Sequence, residues 1–182
     1  QNNVAIGYQS MYSNSAEGNS ASSNTAVGKD SLKVITTGSN NVAIGSGAGS
    51  ANVSGDEMVL IGTSAGASLN HATDADGSVM IGYQAGKDLT TAVGTFIGYL
   101  AGAEADDAVT KAVYTTYVGY EAGRFLDDGT HNVALGHQAM RSADANGQNA
   151  QNNVALGFQA LYSITTGDDN VAIGRSALAT DV

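Results

Sequence analysis

Asn3-Val4-Ala5-Ile6-Gly7 returns as Asn41-Val42-Ala43-Ile44-Gly45 and as Asn170-Val171-Ala172-Ile173-Gly174. With Leu for Ile it returns as Asn132-Val133-Ala134-Leu135-Gly136 and Asn153-Val154-Ala155-Leu156-Gly157. Self-similarity at such a period signals a stacked repeat architecture. Looser copies complete a series of ten, aligned on Gly7, Gly28, Gly45, Gly62, Gly82, Gly98, Gly119, Gly136, Gly157 and Gly174. Successive spacings are 21, 17, 17, 20, 16, 21, 17, 21 and 17, so a long repeat is a short one with extra residues in its connection.

The residue before each glycine is β-branched or Leu: Ile6, Val27, Ile44, Ile61, Ile81, Ile97, Val118, Leu135, Leu156 and Ile173. Two places earlier stand Val4, Thr25, Val42, Val59, Val79, Thr95, Thr116, Val133, Val154 and Val171. Side chains alternate along a strand, so each such pair shares one face, and β-branched residues favour that setting. The pairs are taken as the inward, core-forming positions. One copy cannot offset its ordering entropy, whereas ten stacked copies cover one another.

The residue between the pair then faces the other way. It is Ala in six copies and Leu60, Met80, Phe96 and Tyr117 in four consecutive middle ones. Such a ridge is unlikely to be left in water, and it is assigned to an oligomer interface or a second layer. Four residues after the repeat glycine the outer copies carry Met11, Leu32, Met140, Leu161 and Leu178. The middle ones carry Gly49, Gly66, Gly86, Gly102 and Gly123. In four of these five, all but the Gly49 copy, the glycine accompanies the large strand-centre residue. Volume shrinking where another volume grows marks two positions that share a core.

Connections such as 33–38, 125–129 and 162–167 run from an apolar residue through polar ones to a glycine, as a bend with φ > 0 requires. Asn at the strand entries suggests side-chain ladders. The stretch 103–114 is compatible with a helical turn.

Composition narrows the function classes. Apolar residues make up 42% but aromatics only 6%, which suits thin stacked layers better than a thick core. Pro is absent, consistent with continuous backbone pairing. Without Cys, disulfides and thiolate metal sites are excluded. A net charge of −10 with seven Lys and Arg argues against nucleic acid and against an anionic membrane surface. No apolar run reaches the ~20 residues of a membrane-spanning helix. The chain opens and closes inside repeats and is treated as one domain, 1–182, of a longer protein.

The run Asn-Val-Ala-Ile-Gly, followed by two variable residues and Ala or Ser, resembles the head repeat of trimeric autotransporter adhesins of the YadA type. The longer unit from Asn153 to Gly174 is similar to repeats of phage tail fibres. The resemblance covers nearly the whole chain. It implies an all-β, parallel β-roll or β-solenoid of about ten short rungs, left-handed and homotrimeric.

Candidate sites are few. His71, His131 and His137 show no metal-ligand spacing. Asp74/Asp76, Asp106/Asp107, Asp127/Asp128 and Asp168/Asp169 lack the aromatic platform of a glycosidase. Asp74-Ala75-Asp76-Gly77 lacks the remaining ligands of a Ca²⁺ loop. No cofactor is expected beyond an optional structural Ca²⁺. Tyr83, Tyr99 and Tyr120 share one repeat position. They contact a receptor glycan if exposed, or pack if inward. The expectation is a non-enzymatic, extracellular or virion-borne module that binds itself and a host cell-surface glycan or protein. A tailspike-like depolymerase and a self-assembling filament are the competing classes.

Overall fold

The computed structural model describes residues 2–13, 19–70, 76–103, 110–126, 128–143 and 149–179. Ten strands occupy Val4–Ile6 (β1), Thr25–Val27 (β2), Val42–Ile44 (β3), Val59–Ile61 (β4), Val79–Ile81 (β5), Leu89–Ile97 (β6), Thr110–Val118 (β7), Val133–Leu135 (β8), Val154–Leu156 (β9) and Val171–Ile173 (β10). They form one parallel sheet in sequence order, and no helix occurs among the described residues. Each strand pairs in the register set by the repeats, for example Val42 with Val59 and Ile44 with Ile61. Backbone bonding continues round the coil. Gly28 N donates to Ile6 O at 2.8 Å on the sheet side, and Thr36 N donates to Val53 O at 2.8 Å on the far side. The chain is therefore an all-β parallel solenoid.

The faces of the sheet are the reverse of those expected. Strand centres point inward: Ala26, Ala43, Leu60, Met80, Phe96, Tyr117, Ala134, Ala155 and Ala172 are all buried, Phe96 at 0% exposure. Leu60, Met80, Phe96 and Tyr117 are thus the interior of a single chain and cannot be an oligomer interface. The Val/Ile pairs assigned to the core lie on the outer face. Val4, Ile6, Ile44, Leu135, Val171 and Ile173 are exposed. Val42, Val59, Ile61, Val79, Ile81, Ile97, Val118, Val133, Val154 and Leu156 are half-buried between their rung neighbours.

The asparagines supply the reason. Asn and the strand centre stand two residues apart, so they share a face. Asn24, Asn41, Asn132 and Asn153 are fully buried. Asn41 donates through N and Nδ2 to Asn24 Oδ1 at 2.9 and 3.0 Å, and its Nδ2 also reaches Gly55 O at 2.7 Å. Asn153 and Asn170 repeat the arrangement, Asn170 N and Nδ2 lying 2.9 and 3.0 Å from Asn153 Oδ1. A buried amide needs its partners inside, and this ladder provides them. With Asn turned inward, the strand centre follows.

The volume exchange between strand centre and fourth post-glycine residue is a core contact. A Cβ at Gly66 would meet Leu60 Cδ2 and Met80 Sδ at 3.0 Å, and one at Gly86 would meet Met80 Sδ at 2.6 Å. The exception at Gly49 is explained by the neighbouring rungs, since Leu60 Cδ1 and Leu32 Cδ2 would stand 2.7 and 2.9 Å from its Cβ. The apolar residue of each connection closes the far side, with Ile35, Leu69, Leu89, Leu126 and Ile164 buried.

Two other expectations are corrected. Like Gly129 and Gly167, which close the other two connections, Gly38 is not in the left-handed region. It is small because a Cβ would stand 2.5 Å from Gly55 O and 2.9 Å from Ile35 Cδ1 of its own rung. Residues 110–114, part of the suggested helical turn, belong to strand β7, while 104–109 lie outside the described residues. β6 and β7 each run nine residues and pair along their length through two register shifts, with Leu89 and Ala92 of β6 buried as Phe96 is.

Candidate functional site

The residue after each repeat glycine leaves the coil at the edge of the outer face. Tyr83, Tyr99, Tyr120, His137 and Phe158 form one unbroken column there. Ring centroids lie 5.2, 5.0, 4.9 and 5.2 Å apart, with interplanar angles of 11°, 8°, 9° and 18°. These distances track the ~4.8 Å spacing between strands, so the backbone sets the stacking. Each ring pair adds roughly 0.5–1.5 kcal/mol beyond its buried area. Arg175 caps the column 5.8 Å from the Phe158 centroid.

The tyrosines are both exposed and packed: Tyr83 keeps 45% exposure, yet the faces of Tyr99 and Tyr120 are covered by neighbouring rings. A sugar stacks on a free ring face, and Tyr99 and Tyr120, each between two rings, offer edges and hydroxyls instead.

Beside it runs a second column. Gln159 Nε2 donates to Gln138 Oε1, and Gln138 Nε2 donates to Glu121 Oε2, both at 2.9 Å. Glu121 is buried and takes Arg141 Nε at 3.0 Å and Arg124 Nη1 on its other oxygen. Arg124 lies 4.2 Å over the Phe125 ring, and Arg141 reaches the Tyr162 hydroxyl at 2.8 Å. Burial pushes the Glu121 carboxyl up, but the Gln138 amide and the two guanidiniums outweigh it and hold the carboxyl below its usual value. A depressed folded value means the clamp stabilises fully above the unfolded value of 4.5 and loses its contribution as pH falls through the folded one. Glu121→Gln should therefore melt well below the wild type at pH 7, and the gap should narrow in acid. An equal gap at both pH values, read by thermal melts, would rule out an ionic clamp.

Asp56, Asp76 and Asp168 act as backbone acceptors between rungs, Asp56 taking Ser39 N. Asp56 N donates to Asp76 Oδ1 at 2.8 Å, and Gln151 N donates to Asp168 Oδ1 at 2.7 Å. Among the described residues no three His, Cys, Asp or Glu side chains converge to hold a metal ion. His71, Asp74, Asp106, Asp107 and Asp127 lie outside those residues. No described helix is long and apolar enough to cross a membrane.

One feature escaped the sequence reading. The residue five before the repeat glycine takes a left-handed backbone in most rungs: Ser23, Asn40, Glu57, Gly77, Tyr114, His131, Asn152 and Asp169, with φ between 56° and 78°. Small polar residues and Gly suit that region, whereas a bulky ring there is an outlier costing on the order of 1–3 kcal/mol. Leu32 and Met140 also take left-handed φ but are fully buried, so core contact offsets their strain. Tyr114 is 66% exposed and has no such return. It is also an extra residue in β7: Val93 pairs with Val113 and Gly94 with Thr115, leaving Tyr114 without a counterpart in β6. The signal in the sequence is a tyrosine in a column otherwise made of Ser23, Asn40, Glu57, Gly77, His131, Asn152 and Asp169. No protein-family model, curated protein or solved structure matches the chain.

Proposed function

We propose that this chain is a stiff, repeat-built segment of a fibrous homotrimeric surface protein. A phage tail fibre that attaches to a host cell surface is the first candidate, and the module is non-enzymatic. One observation carries the reading: the outer sheet face presents a continuous apolar column, Ile6 to Ile173, in every rung, beside a second column of Val that carries Thr at 25, 95 and 116. A patch of that length marks an interaction surface. Its occupants are two further copies of the chain, because a face built of one repeated pair meets copies of itself in register about a common axis. The coil is wound left-handed in this proposal, as in the adhesin heads that the repeat resembles. Three copies carry three times −10 in charge, which keeps an extended virion or extracellular rod soluble.

Ile61→Asp with Ile81→Asp places charge in the middle of the proposed interface without touching the core. Light scattering should show the mass falling from three chains to the 18.3 kDa of one, with strand content by circular dichroism unchanged. A wild type that already runs as one chain, or a variant that keeps the three-chain mass, would overturn the proposal.

A further inference from the structure

Among the described residues Tyr114 is the ring that combines three properties: a bulged backbone position, a left-handed φ of 58° without core burial, and high solvent exposure. Bulges commonly re-aim a side chain at a functional site. Its ring neighbour among the described residues is His131 of the next rung, at 5.1 Å and tilted by 35°, also left-handed and exposed. Asn152 and Asp169 follow in the same column, both left-handed and both exposed. Successive members stand one rung apart, about 4.8 Å along the coil axis.

We infer that this strip is a glycan-binding site, taking a neutral oligosaccharide laid along the axis. One face of a sugar ring is apolar C–H and its rim is hydroxyl. Tyr114 supplies an aromatic platform where β6 places no residue opposite it. The His131 imidazole, the Asn152 amide and the Asp169 carboxylate supply donors and acceptors for the rim. A peptide finds no equivalent purchase, because β7 and β8 are paired on both sides and leave no free strand edge here. Acidic glycans are disfavoured by Asp169 and by the net charge of −10. The inference rests on the proposed recognition role, and it moves the glycan contact away from Tyr83, Tyr99 and Tyr120. In a trimer the site occurs three times, so weak single contacts gain by multivalency.

The test uses an array of neutral and acidic oligosaccharides built from hexose and N-acetylhexosamine units, probed with the whole chain and with two variants. Tyr114→Asn keeps a residue that tolerates the left-handed backbone, and Tyr114→Phe keeps the ring. Wild type should bind at least one neutral glycan. Tyr114→Asn should lose about tenfold or more in affinity while its melting temperature holds or rises, and Tyr114→Phe should stay within about threefold. A ring kept for structure would instead lower the melting temperature of Tyr114→Asn. No neutral glycan bound, or Tyr114→Asn binding within about threefold of wild type, would overturn the site. Light scattering of the same samples separates the two readings. A three-chain mass without Tyr114-dependent binding sinks the glycan site alone, and Tyr114-dependent binding by a single chain sinks the trimer alone.

Discussion

Phe96→Asp should unfold the coil, whereas Asp at the next residue, Ile97, should leave the chain folded. Phe96 is fully buried, packs edge-on against Tyr117 at 5.6 Å and 79°, and fills the space that Gly102 vacates. Removing a buried Phe side chain costs about 3–5 kcal/mol through lost contacts and the cavity left behind. The carboxylate then adds a buried charge with no partner, a further penalty of several kcal/mol. Together these approach the ~5–15 kcal/mol by which ordinary domains are stable. Circular dichroism should show strand signal lost for Phe96→Asp and kept for Ile97→Asp. The opposite pair of results would mean that the strand centres face outward after all.

Gly45→Ala should be severely damaging for so small a substitution. Gly45 has a φ of 135°, outside the range that L side chains adopt, and a Cβ there would stand 2.5 Å from Gly62 O and 2.6 Å from Gly62 C. That carbonyl belongs to the next rung of the ladder and cannot move without breaking the stack. Backbone strain alone is worth roughly 1–3 kcal/mol. Gly174→Ala separates strain from collision, since Gly174 has a similar φ of 119° with nothing within 4 Å of its Cβ. In urea titrations Gly45→Ala should lose several kcal/mol more than Gly174→Ala, at the severe end of single substitutions. Equal losses would show that close rung stacking contributes nothing to the glycine requirement.

Much of this fold is legible in the chain itself. The repeat glycines mark the register of all ten strands, because one glycine per rung must stack on the next. The asparagine ladder follows from Asn recurring at one strand-entry position. The exchange of Met140 or Leu161 for Gly102 or Gly123 identifies two positions that share a core, and they do. Less was legible in β6 and β7. Their N-terminal halves fall in what the repeat alignment treats as connection, so the long strands and the extra residue Tyr114 were not anticipated. The tyrosine column was found at the right position, but the mutual covering of its ring faces depends on the rung spacing, which residue identity does not state.

Sequence alone determined the ten strands, the register of their repeat positions, and the pairing of strand centre with fourth post-glycine residue. Only the tertiary structure decided which side of the sheet is inside. Period-two alternation separates two faces without naming either, and Val with Ile is the more apolar set. The coil is narrow, however. Its interior admits Ala with Leu or Met opposite, or a large ring with Gly opposite, and it must also hold an asparagine whose amide hydrogen-bonds from rung to rung. The Asn-Val-Ala-Ile-Gly stretch therefore turns Asn and Ala inward and leaves Val and Ile on the outer face, where a partner can cover them.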